Sequence, residues 1–177
     1  IGKTYYDNLK FYTSQATDKM KWYVIDNNYI SLDKIMNPTY EMKLRAVKKC
    51  GMNIYYMNVM DRTYALSLEA VKQCGFNIKY ITQSENICLE AVKTNGALLH
   101  VTNKTKKICL ASVKSHGMSI QFVPKNIIDS EICNEAFKTD RRSIMWIPEW
   151  FQTQRMCFLA VMYDGNLLMH VKNQTHD

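Results

Sequence analysis

The stretch CLEAVKTNG, Cys88 to Gly96, decides the fold, because most of the chain is that stretch again. With Ala91 as its anchor, the same frame recurs around Ala46, Ala70, Ser112, Ala136 and Ala160, at spacings of 24, 21, 21, 24 and 24 residues. A fixed period of this size marks a tandem-repeat architecture and not a fold built round one catalytic centre.

Each copy carries its own start and stop signals. Seven residues before the anchors stand Thr39, Thr63, Ser84, Thr105, Asp129 and Thr153, all residues whose side-chain oxygen can accept a bond from an orphan N–H of a helix's first turn. Five residues after the anchors stand Gly51, Gly75, Gly96, Gly117 and Gly165, which predict left-handed helix stops. The eleven residues between cap and stop predict a helix of about 16 Å at 1.5 Å per residue.

Inside these helices the apolar slots lie four, three and two before the anchor, at it, and one after it: Ile87, Cys88, Leu89, Ala91 and Val92 in the copy quoted above. That arc is wider than a surface helix needs, and it suits a helix contacted on two sides by neighbouring repeats. Beyond each stop comes a second apolar cluster, Ile54 with Met57, Ile78 with Ile81, Ile120 with Val123, Ile144 with Ile147, and Leu168 with Val171. The spacing of three predicts a short helix or a 3₁₀ turn. FNIKYI and MSIQFV also alternate apolar and polar residues as a strand does, so a strand is the alternative for this element. The fold class is thus an all-α solenoid of short helix pairs, with an α/β solenoid second.

The domain reading is one solenoid over residues 1–177. Its repeats are 39–62, 63–83, 84–104, 105–128, 129–152 and 153–177, preceded by a degenerate unit at 1–38. In that unit Thr17 predicts a cap for a helix from Asp18 to about Asn27. Met20, Val24 and Ile25 fall in its apolar slots, and Asn28 is the stop. Nothing resembling a polar cap closes the chain at Asp177, which points to truncation or to self-association through uncapped repeat ends.

With 47% apolar and 22% charged residues the composition is that of a globular chain. No apolar run approaches the ~18 residues of a membrane span, so no membrane is expected. No secretory signal is recognisable, although the first residue is Ile and not Met. Cys88, Cys109, Cys133 and Cys157 lie three residues before their anchors, and Cys50 and Cys74 four after theirs. Stacked helices lie about 10 Å apart, whereas a disulfide needs Cα atoms within about 7 Å. The cysteines therefore read as reduced core residues of a cytoplasmic protein. No spacing suits zinc, and no cofactor is expected.

The unit [DST]-x-x-I-C-L-x-A-V-K-x-x-G-x-x-I-x-x-V-P, seen in SEICNEAF, ENICLEAVKTNG and MSIQFVP, resembles a tandem-repeat family of unknown function. That family abounds in giant amoeba-infecting viruses and amoeba-associated bacteria. The resemblance covers roughly residues 39 to 177. It implies an α-helical solenoid used for interactions, in the host cytoplasm or the virion, with no catalytic residues to carry over.

Two surfaces are candidates for binding. Lys48, Lys72, Lys93, Lys114 and Lys138 stand two residues after their anchors, a stripe that could track a phosphate backbone. Glu69, Glu90 and Glu135, each three residues earlier, would neutralise part of it as (i, i+3) pairs, leaving a solvated face. The fifth repeat breaks the pattern. Arg141 replaces the stop glycine, Asn134 an inward leucine and Phe137 a valine, and Arg142, Trp146, Trp150 and Phe151 follow. Arg and Trp dominate interface hot spots, while packing around an altered turn is the plainer account. His100, His116, His170 and His176 have no nucleophile or carboxylate at a motif spacing, so no enzyme is expected. The sequence reading is a non-catalytic protein-interaction scaffold, with a basic nucleic-acid-binding solenoid second.

Overall fold

The computed structural model describes residues 16–27, 31–95 and 97–172. Among them every regular element is helical and none is a strand. The chain divides into two compact units, Ile1–Thr82 and Gln83–Asp177. In the first, α1 (Asp18–Asp26), α2 (Tyr40–Lys49) and α3 (Tyr64–Gln73) alternate with 3₁₀ segments at Leu32–Lys34, Gly51–Ile54, Val59–Asp61 and Gly75–Tyr80. In the second, α4 (Glu85–Asn95), α5 (Lys106–Ser115), α6 (Ser130–Thr139) and α7 (Gln154–Tyr163) alternate with 3₁₀ segments at Ala97–His100, Gly117–Phe122, Arg141–Trp146, Glu149–Phe151 and Gly165–His170. The second element of the repeat is therefore 3₁₀, not strand. FNIKYI and MSIQFV alternate in sequence, but their local i→i+3 bonds close before any ladder can form.

The caps fall where the sequence puts them. Thr17, Thr39, Thr63, Thr105, Asp129 and Thr153 each accept a bond from the N–H three residues on, as does the Ser84 hydroxyl from Ile87 N–H. Asp129 makes the shortest of these bonds, 2.9 Å to Ile132 N–H. In the first unit α1 packs on α2 and α2 on α3, in the second α4 packs on α5 and α5 on α6, and α7 packs on the 3₁₀ segments Arg141–Trp146 and Gly165–His170. The core recurs from repeat to repeat: Ile132, Ala136, Phe137, Ile144 and Ile147 are all buried in the fifth, as are Leu66, Ala70, Val71 and Ile78 in the second. Each such isoleucine is worth about 1.5–3 kcal/mol of transfer free energy.

Three apolar expectations shift. The slot two before the anchor is half-buried at Leu44, Leu68, Leu89 and Leu110, and Phe158 in that slot is exposed. In the last repeat Leu167 is buried and Leu168 exposed, as Leu98 and Leu99 are in the third. In α1 Ile25 is buried but Met20 is exposed.

The glycines act differently from the left-handed stops predicted. Each helix ends one residue before its glycine, at Cys50, Cys74, His116 or Asp164, whose φ lies between −143° and −156°. That is extended backbone. The N–H of Cys50 closes α2 on Ala46 O at 2.9 Å, and its carbonyl accepts from Asn53 N–H at 2.9 Å to open the 3₁₀ turn. One extended residue thus switches the chain between helix types. Gly51, Gly117 and Gly165 all lie outside the left-handed region. Glycine is needed because the next repeat presses on it. A Cβ at Gly51 would stand 2.8 Å from Ala70 O, and one at Gly117 2.5 Å from Ala136 O. At Gly165 nothing lies within 4 Å. Gly75 opens its 3₁₀ segment after the extended Cys74 in the same way, and the remaining proposed stops, Gly96 and Asn28, lie outside the described residues.

The same contact zone is stitched by asparagine. Asn53 and Asn77 each donate from Nδ2 to the anchor carbonyl of their own helix, Ala46 O and Ala70 O, at 2.9 Å. Asn53 Oδ1 also accepts from Leu32 N–H of the preceding unit at 3.2 Å. Both asparagines are buried, and Asn53, bonded on both sides, ties its repeat to the one before.

Candidate partner-binding groove

The 3₁₀ segments end with backbone carbonyls that have no internal partner, and such groups must find donors or water. A side chain eight residues before the anchor meets this need in three repeats. Arg62 donates from Nη2 to Tyr55 O at 3.1 Å and Met57 O at 2.9 Å, and from Nη1 to Tyr80 O. Gln152 donates from Nε2 to Ile147 O at 3.0 Å and His170 O at 3.1 Å, while its Oε1 accepts from Lys172 N–H at 2.9 Å. Gln83 donates to His100 O at 2.8 Å and accepts from Thr102 N–H at 2.9 Å. Each of these side chains is a clip. Arg62 and Gln152 join the end of one 3₁₀ segment to the end of the next.

In the fourth and fifth repeats the clip is absent, because the slot holds Lys104 and Ile128. Twelve residues after their anchors stand Pro124 and Pro148, which have no N–H to leave unbonded. Loss of the clip and gain of the proline go together.

Ile128 opens onto a groove of about 380 Å³, lined also by Ile120, Gln121, Val123, Lys125, Trp146, Pro148, Trp150 and Phe151. Its counterparts at Arg62 and Gln152 enclose about 350 Å³ and 390 Å³, so size does not set it apart. Its floor does, being isoleucine where the others have a hydrogen-bonding side chain. Trp150 is 76% exposed and Trp146 48%, well beyond what packing around an altered turn would leave. The Trp150 and Phe151 rings lie 6.2 Å apart, tilted by 52°. Val123 O and Trp146 O hold the positions of the clipped carbonyls Met57 O and Tyr80 O, and neither accepts a hydrogen bond among the described residues.

The five residues singled out in the fifth repeat therefore separate. Trp146, Trp150 and Phe151 share the groove. Arg141 lies apart, its guanidinium carbon 5.8 Å from the Tyr163 ring centroid. Arg142 is tied to Asp140, with Nη2 2.7 Å from Oδ2, and this pairing holds the Asp140 carboxyl below its ordinary range despite partial burial. The clips Arg62, Gln83 and Gln152 and the groove residue Ile128 were missed by sequence reasoning. Their signal was a long donor side chain just ahead of the cap, present in three repeats and lost in the fifth.

Lys48, Lys72, Lys93, Lys114 and Lys138 are all exposed. Lys93 pairs with Glu90 at 3.5 Å, as expected. The corresponding pairs of Lys72 with Glu69 and Lys138 with Glu135 do not form among the described residues. Charges elsewhere bind repeat to repeat. Lys106 meets Asp129 at 2.7 Å and Glu131 at 2.8 Å, and Lys107 meets Glu85 at 3.0 Å. Lys106 and Lys107 are thus committed to neighbouring helices.

All six cysteines are free thiols, four of them buried and Cys50 and Cys74 half-buried. Burial pushes Cys109 and Cys133 up to about 11, which keeps them protonated and unreactive. No group of three His, Cys, Asp or Glu close enough to hold a metal occurs among the described residues. No helix there is long and apolar enough to cross a membrane.

Residues 105–152 match a domain of unknown function, DUF4116. The matched block is repeats four and five, and it contains every residue that lines the unclipped groove. No curated protein and no solved structure is matched by the chain.

Proposed function

We propose that the chain is a non-catalytic protein-interaction scaffold that reads its partner through the groove over Ile128. The observation that carries this is the pair of exposed indoles, Trp146 and Trp150, on a groove whose counterparts are clipped by the chain's own side chains. Tryptophan is the residue most enriched among interface hot spots, and it contributes most where a surrounding rim excludes water. The groove belongs to the matched block of repeats, in keeping with a family whose giant-virus members would act in the host cytoplasm or the virion. The test is capture of partners from a candidate host lysate by the wild-type chain and by Trp146→Ala/Trp150→Ala. Loss of a saturable partner in the variant supports the reading, and an unchanged partner set refutes it.

A second reading rests on the exposed lysines. Lys48, Lys72, Lys114 and Lys138 form no ion pair among the described residues, which suits a phosphate backbone better than the expected neutralised face did. Binding to generic single- and double-stranded nucleic acid, measured across a salt series, decides it. A steep loss with salt supports the reading, and no binding at low salt removes it. Self-association is a third use, favoured by the exposed Phe158, Met162 and Met169 of the last repeat. A light-scattering mass equal to one chain at high concentration removes it.

A further inference from the structure

The geometry points to a chemical class for the groove's occupant: an arginine side chain presented by a partner polypeptide. This inference rests on the scaffold reading and adds to it. The chain itself shows how such a groove is filled. In the spatially equivalent groove of the first unit, the Arg62 guanidinium spans Met57 O of one repeat and Tyr80 O of the next. The anchors on either side of the groove are 24 residues apart in both places, Ala46 to Ala70 and Ser112 to Ala136, and Val123 and Trp146 fall at the same offsets from those anchors as Met57 and Tyr80. Ile128 offers them no donor.

A planar guanidinium supplies several donors in a fixed fork and can serve two carbonyls at once. Lysine, with one compact ammonium, matches that geometry less well. The groove adds what Arg62 lacks. Trp146 and Trp150 line it and are exposed, and a cation over an indole face is attracted by the ring quadrupole. Two open carbonyl oxygens and two indoles make the interior complementary to positive charge. Lys125 opposes it, but it is exposed on the rim, where water screens it.

The experiment selects binders to the full chain from an unbiased displayed peptide library. Each binder is then titrated by tryptophan fluorescence against wild type, Trp150→Ala, Ile128→Arg and Lys125→Glu, with far-ultraviolet spectra to show that each variant is folded. Ile128→Arg restores a clip in the manner of Arg62 and so occupies the groove from within. Ile128→Gln repeats the test with a smaller clip. The inference expects groove binders, defined by loss with Trp150→Ala, to share an arginine. Changing that arginine to lysine, or Ile128 to Arg, should weaken binding at least about tenfold, and Lys125→Glu should strengthen it. Groove binders with no shared arginine, or with unchanged affinity for Ile128→Arg, overturn the arginine assignment and leave the scaffold reading standing. A library that yields no binder sensitive to Trp150→Ala overturns both.

Discussion

Replacing glycine by alanine at two copies of one slot should move stability in opposite directions. Gly117 and Gly165 each follow an extended helix-ending residue, His116 at φ −143° and Asp164 at φ −151°. A Cβ on Gly117 would stand 2.5 Å from Ala136 O and 2.8 Å from both Asp140 N and Cβ. These contacts are roughly an ångström inside van der Waals distance, and two of them are to backbone, so α6 must back away. Overpacking of that kind costs about 1–3 kcal/mol. At Gly165 the added methyl meets nothing within 4 Å. There the lost freedom of the unfolded chain dominates, stabilising by about 0.4–1 kcal/mol. Both sites lie in the Gln83–Asp177 unit, so urea unfolding followed by circular dichroism compares them directly. Gly117→Ala should lower the midpoint and Gly165→Ala raise it. If both fall by similar amounts, the slot demands a left-handed backbone after all, and the close-approach argument is refuted.

Three further outcomes can be measured on the same chain. Ser112 is the one anchor that is not alanine, and its buried hydroxyl has no hydrogen-bond partner among the described residues. Ser112→Ala should therefore stabilise by about 1 kcal/mol, read as a rise of roughly 2–4 °C in Tm; a fall would mean the hydroxyl is satisfied. Maleimide labelling of the native chain should modify half-buried Cys50 and Cys74 well before Cys88, Cys109, Cys133 and Cys157, and six equal rates would contradict the burial. The third concerns acid. Arg142 depresses the Asp140 pKa in the folded chain. The stability it contributes is thus present above the unfolded value of about 3.9 and is lost as pH falls through the lower folded value. Wild type should exceed Asp140→Asn by no more than about 1 kcal/mol at neutral pH, with the gap closing toward pH 2; a gap independent of pH would exclude the ion pair as its source.

Thr39, Ile87 and Ala91 were legible because their roles are local: a cap needs one oxygen, and a core slot needs periodicity. Gly117 was misread because a sequence shows only that a side chain is not tolerated. A left-handed backbone and a crowded neighbour leave the same mark, and only the position of Ala136 O distinguishes them. The groove was half visible. Trp146 and Trp150 stood out as departures from the repeat, but Ile128 looked ordinary. Its meaning depends on what Arg62 and Gln152 do in three dimensions, across segments whose ends no spacing rule brings together. Arg142 looked free for a partner, and its engagement with Asp140 two residues away depended on the extended backbone at that position, which the expected stop did not contain.

The clip position has a consequence for how such a chain can change. Buried isoleucines and anchor alanines hold the architecture, while the residue just ahead of each cap decides whether a surface cleft is shut or vacant. The two jobs are written at separate addresses. A single codon change at position 62 or 152 would remove a clip from a surface cleft, and one at 128 would place a side chain across the cleft now open. If the proposed reading holds, specificity in such an array can drift at the clip positions while the core slots are kept.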